Sequence, residues 1–189
     1  MERKNIMLGM LGVFMALAAL YVVFKPSAYR GMELNPPAPA RPINLTDSNG
    51  QPFQLDSLRG RVSVVFFGYT HCPDECPATL AKLKLAMLDL GGQAQEVQVI
   101  LVTTDPARDS AQVLKDYVSV FNPAFLGLTG SPAEMEMVWN AYGVVVEDGG
   151  ETHSELLYII DREGNLRLTL PPDLDSLDIA HDLKTLLDE

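Results

Sequence analysis

The sequence predicts an α/β domain, a three-layer sandwich of sheet and helices, preceded by one N-terminal transmembrane helix. Three observations carry that expectation. Residues 6–24 form 19 consecutive positions without a charge. Residues 62–67 and 97–102 are short apolar runs of the kind that fill strands buried on both faces. Around them, apolar residues recur at the three-and-four spacing of helices that pack on one side.

The apolar run follows a five-residue segment, 1–5. As a helix rising about 1.5 Å per residue it spans roughly 28 Å, close to the hydrocarbon thickness of a bilayer. Arg3 and Lys4 precede it and Lys25 and Arg30 follow it, so positive charge orients it only weakly. Ala16-Leu17-Ala18 resembles a signal cleavage site, but a cut there leaves 19–24 as an exposed apolar terminus, and an uncleaved anchor is expected. With the amino terminus inside, the rest of the chain faces the periplasm or an equivalent oxidising space.

Residues 25–42 hold five prolines, at 26, 36, 37, 39 and 42, and read as a semi-extended tether that can form neither helix nor central strand. The domain proper is then 43–189, long enough for one core. Five basic and two acidic residues precede Ile43, leaving 9 basic and 23 acidic residues and a formal charge of −14 in the domain. Such a surface repels nucleic acid and anionic headgroups and accommodates a cation or a basic partner.

Within the domain, 43–58 alternates about Asn49-Gly50, a hairpin signal, and 58–61 turns into the strand 62–67. Leu80, Leu83, Met87 and Leu90 mark a helix stopped by Gly91-Gly92, and 97–102 is a second buried strand. Asp109 or Ser110 caps a helix whose face is Val113, Tyr117 and Val120. Ser131-Pro132 opens another, with Met135, Val138, Trp139 and Tyr142. A short strand is expected between those two helices. Residues 156–160 and 166–170 form a second hairpin and 174–187 a closing helix. This order fits a thioredoxin-like three-layer sandwich better than a barrel or paired sheets.

Cys72 and Cys76 are the only cysteines, four apart in Gly68-Tyr69-Thr70-His71-Cys72-Pro73-Asp74-Glu75-Cys76-Pro77. A strand breaking into a loop and then a helix places both at the carboxyl end of that strand, where open α/β sheets carry their sites. Pro77 fits a first helical turn, so Cys76 is expected beside the helix N-terminus, where the dipole favours a thiolate. A structural disulfide closing about five residues is worth roughly 2 kcal/mol, against roughly 4.7 for one closing about 100. The pair therefore reads as redox-active or metal-binding.

Three imidazoles are available. His181 falls in the closing helix and suits a surface or packing role, and His71 adjoins Cys72 too closely for an unstrained chelate. His153 follows a loop and directly precedes the strand 154–160, beside the strand that bears the cysteines. Asp105 and Arg108 either shape the rim of the site or form a loop turn with an ion pair.

Taken with Asp105-Pro106-Ala107-Arg108-Asp109, Gly127-Leu128-Thr129-Gly130 and His153-Ser154 ahead of Tyr158, the cysteine segment resembles the Sco (SenC) family of membrane-tethered copper proteins. The resemblance implies a thioredoxin-like fold and one copper ion per domain, held by Cys72, Cys76 and His153. It further implies a role in maturing the Cu(A) centre of cytochrome c oxidase, with the Cu(A)-bearing subunit as partner and a copper donor protein upstream. Members often carry aspartate just before the histidine where this chain has Thr152, which leaves the ligand set intact and alters its hydrogen-bonded support.

Two thiolates and one imidazole suit Cu(I), whereas structural zinc usually takes four protein ligands. The expected protein is an assembly factor rather than a turnover enzyme. The alternative is a thiol:disulfide oxidoreductase working on a partner's cysteines, although three residues separate the pair here and two do in the thioredoxin motif. The peroxiredoxin pattern does not match, because Thr70 lies two positions before Cys72 instead of three.

Overall fold

The computed structural model describes residues 28–147 and 156–189. The apolar run 6–24, the start of the tether, Thr152 and His153 lie outside the described residues. Among the described residues no helix is long and apolar enough to cross a membrane.

Eight strands form one sheet: β1 (Met32–Pro39), β2 (Asn44–Asp47), β3 (Pro52–Gln54), β4 (Val62–Gly68), β5 (Val97–Thr103), β6 (Leu126–Thr129), β7 (Leu157–Ile160) and β8 (Asn165–Leu170). Their spatial order is β1-β8-β7-β4-β5-β6-β2-β3. The strands β4, β5 and β6 run parallel, and β7 lies antiparallel against the other side of β4. Every residue of β4 is buried, as a central strand covered on both faces requires.

The period of two along β4 divides the core. Val62, Val64 and Phe66 face α1 (Glu75–Leu90), α2 (Ala111–Phe121) and α4 (Ser176–Leu187), while Val65 and Phe67 face α3 (Pro132–Tyr142). Three helices, a sheet and one helix make the three layers, so the α/β sandwich expected from the sequence is the fold that forms. Leu80, Leu83, Met87 and Leu90 of α1 are buried as their spacing predicts. Ser131 and Glu134 close a capping box on α3 with Pro132 in its first turn, and Gly143 ends that helix at φ 68°.

Two expectations change. On α2 the buried residues are Leu114 and Val118, whereas Val113 and Val120 face solvent. Gly127 of β6 sets that rotation, since a Cβ there would stand 2.7 Å from Leu114 Cβ. In addition, 32–39, read as spacer, pairs with β8. Proline is tolerated there because β1 is an edge strand, with a register irregularity between Glu33 and Ala38.

Candidate metal centre

The site begins at Gly68, the last residue of β4. A Cβ at this position would lie 2.7 Å from Cys76 Sγ and 2.8 Å from Phe66 Cζ, so only glycine lets the strand end against the thiol. The chain then turns through 69–74, with Cys72 N donating to Tyr69 O at 3.4 Å, and enters α1 at Glu75. Both cysteines are free thiols at the carboxyl end of the central strand.

Their environments differ. Cys76 is buried and Cys72 partly exposed. Cys76 N donates to Cys72 Sγ at 3.4 Å, so the sulfur of Cys72 receives a helix N-terminal amide while Asp74, the N-cap residue, makes no side-chain cap. Burial pushes the Cys76 thiol up to about 12; its hydrogen bond to Cys72 and the charge of Asp109 add to this, and the backbone bond with Tyr69 opposes it. The dipole argument for a Cys76 thiolate is therefore outweighed by desolvation.

Asp109, expected as a possible helix cap, has another task. Ser110 is the cap, accepting from Val113 N, while Asp109 is fully buried. Thr70 donates to it through its amide at 3.1 Å and its hydroxyl at 2.5 Å, and the Thr103 hydroxyl donates at 2.6 Å. One carboxylate thus binds the loop before Cys72 to the end of β5. Its position directly before a better cap residue hid it in the sequence.

Tyr117, expected as a core residue, carries a buried hydroxyl with no hydrogen-bond partner among the described residues. Its acidity is suppressed first by burial and then by the charges of Cys76, Cys72 and Asp109, and its ring, like Cys72, packs against the core cluster that contains Cys76. Periodicity alone offered no signal for that.

His71 is exposed, with Nδ1 3.1 Å from Thr70 Oγ1 and 3.8 Å from Asp109 Oδ1. Its ring is thus engaged on the Asp109 side of the loop. Asp105 and Arg108 form a side-chain ion pair across a turn in which the amides of Arg108 and Asp109 donate to Asp105 O. His181 lies on α4, where its Nε2 is 3.0 Å from Ala28 O. Among the described residues no group of three or more histidine, cysteine or carboxylate side chains converges as a metal cage. The two sulfurs form an open, soft donor pair that can release its protons to water on binding a thiophilic cation, or give two electrons and two protons to an oxidised partner on becoming a disulfide.

Comparison with known proteins gives one consistent result. The SCO1/SenC family model matches residues 33–188. A relative, Protein SCO1, mitochondrial, of Saccharomyces cerevisiae is 36% identical over 163 residues, covering 81% of this chain and 53% of that protein. Relatives of this kind are longer, and the chain spans 44 to 64% of their length. Among solved structures, Bradyrhizobium japonicum ScoI with copper bound superposes with a TM-score of 0.69 at 36% identity, covering 79% of this chain and 99% of that one. Apo Sco1 of Thermus thermophilus gives 0.74 at 36% identity over 84% of this chain and 96% of that one.

Proposed function

This chain belongs to the SCO1/SenC family, and on that premise we propose that it is a membrane-anchored copper-binding assembly factor. Cys72, Cys76 and His153 hold one copper ion as cargo for the Cu(A) centre of cytochrome c oxidase. Residues 6–24 serve as its single-pass anchor, with the domain on the periplasmic or equivalent side.

The observation that carries the reading is the register of β7 against β4. Leu157, the first residue of β7, pairs with Phe66, two residues before the end of β4 where the cysteine loop starts. His153 lies four residues before Leu157, within about 14 Å of it by chain length alone. That supports an imidazole joining the two sulfurs. Soft thiolates favour Cu(I), and a third, nitrogen ligand extends the site to Cu(II). The copper-bound state of the Bradyrhizobium relative supports the same cargo.

Thiol:disulfide exchange is the second reading, favoured by the asymmetry of the pair. Cys72 is the accessible sulfur and Cys76 the buried one, an arrangement suited to attack by Cys72 on a partner disulfide and resolution by Cys76. Two electrons and two protons would then pass from the dithiol to the partner.

Copper affinity separates the readings. The reduced chain should take up one Cu(I) in competition with a chromophoric chelator, and Cys72→Ser or Cys76→Ser should weaken uptake by orders of magnitude. Equal copper retention by the wild type and both variants would remove this ligand set.

A further inference from the structure

Asp182 sits in the middle of α4 and is fully buried. Its two oxygens are taken up by the backbone of a segment distant in sequence: Arg30 N donates to Oδ1 at 2.7 Å and Gly31 N to Oδ2 at 2.8 Å. A carboxylate removed from water is costly unless such donors meet it, and charge-assisted bonds of this kind are the strong ones. The neighbouring residues reinforce the hold. The Tyr29 ring is buried in the helix-side core and its hydroxyl donates to Glu189 at 2.6 Å. His181 Nε2 lies 3.0 Å from Ala28 O. At Gly31 a Cβ would overlap the Leu170 side chain, so the strap passes only because it has none.

The consequence is geometric. Residues 25–27 are all that separates the end of the apolar run at Phe24 from the fixed point at Ala28, and four Cα steps reach at most about 14 Å. The expected proline-rich spacer cannot act as one, because most of it is bolted to the domain.

We propose that Ala28–Gly31 is a latch that holds the β1–α4 edge of the domain against the lipid bilayer. The dithiol then works at a fixed, short height above the membrane, three strand spacings or about 14 Å across the sheet from β1. The bilayer is the partner of this edge, and a metal acceptor within reach must lie close to the membrane surface. This inference rests on residues 6–24 being the anchor.

Trypsin reads the latch directly. It cuts after lysine and arginine but not before proline, so Lys25-Pro26 and Arg41-Pro42 resist and Arg30-Gly31 is the one cleavable bond between the apolar run and Arg59. The full chain is placed in phosphatidylcholine vesicles and digested, and release of the 31–189 fragment is followed by mass. The wild type should resist, while Asp182→Ala and Gly31→Ala should release the fragment at least about tenfold faster, since cleavage tracks local opening. Recovery of the intact 31–189 fragment distinguishes a loosened strap from an unfolded domain, and the wild-type rate decides even if a variant fails to fold. Wild-type release as fast as that of Asp182→Ala overturns the latch while leaving the anchor in place. A chain that does not sediment with the vesicles before digestion overturns the anchor reading, and with it the bilayer as partner.

Discussion

The sulfur of Cys72 accepts the backbone amide of Cys76 at 3.4 Å, so the two cysteines are joined through the first turn of α1 while both remain thiols. Cys72 therefore has an exposed face and a helix amide, and Cys76 has neither. Alkylation should follow that difference. At pH 8, iodoacetamide should modify Cys72 much faster than Cys76, as read by peptide mass spectrometry. Equal rates would contradict the burial of Cys76.

The same burial gives a pH dependence. A cysteine in the unfolded chain titrates near 8.5, whereas in the folded domain Cys76 is pushed up to about 12. Between those values the folded state retains a proton that the unfolded state has lost, so this group's contribution to stability falls as pH rises through the window. In urea unfolding of the reduced domain from pH 8 to 11, Cys76→Ala should lose less stability with pH than the wild type. Parallel pH profiles would show that Cys76 does not carry the linkage.

Asp109→Ala should destabilise the copper-free domain by roughly 3 kcal/mol, because it strands the Thr70 and Thr103 hydroxyls and the Thr70 amide. Asp74→Ala, in the same loop but exposed and capping nothing, should change stability by no more than about 0.5 kcal/mol. Denaturant midpoints measure both. Similar losses from the two would mean that the carboxylate network is not what holds the loop.

Removal of residues 1–27 should leave a folded domain, while removal through Pro42 should cost about 4 kcal/mol or more. The longer cut takes the Tyr29 ring out of the core and withdraws two amides from Asp182. Circular dichroism and urea unfolding of the two truncations test this. Indistinguishable stabilities would return 28–42 to the status of a spacer.

How far these features could be read from residues alone depended on whether a local pattern had a single solution. On α1 the three-and-four spacing of Leu80, Leu83, Met87 and Leu90 defines one stripe, which is the face that is buried, while Leu85 and Leu88 fall off that spacing and stay exposed. The helix α2 offers Val113, Leu114, Tyr117, Val118, Val120 and Phe121, apolar around most of its circumference, and only packing against Gly127 selects Leu114 and Val118. Proline content concealed β1, because the rule that bars proline from central strands does not bar it from an edge. The cysteine pair stood out through spacing and isolation. Asp109 and Tyr117 did not, because their partners lie at the ends of other elements and no periodicity brings Thr70, Thr103 and Asp109 together before the chain folds.

His153 decides between copper delivery and thiol exchange. A dithiol reductase needs both sulfurs but has no use for an imidazole 77 positions beyond Cys76, whereas a three-ligand copper site does. His153→Ala should therefore keep disulfide exchange with a small thiol at the wild-type rate. Its Cu(II) affinity should fall by at least about 100-fold, more than the loss of an outer-shell partner typically costs. It should also fail to restore Cu(A) assembly in cells lacking the native protein, with Cu(I) binding reduced less than Cu(II) binding because the two soft donors remain. Oxidase activity measured beside copper affinity separates the outcomes. Full oxidase assembly with Cu(II) binding abolished would transfer the function to the thiols alone and make reduction of the acceptor's cysteines the step this domain performs.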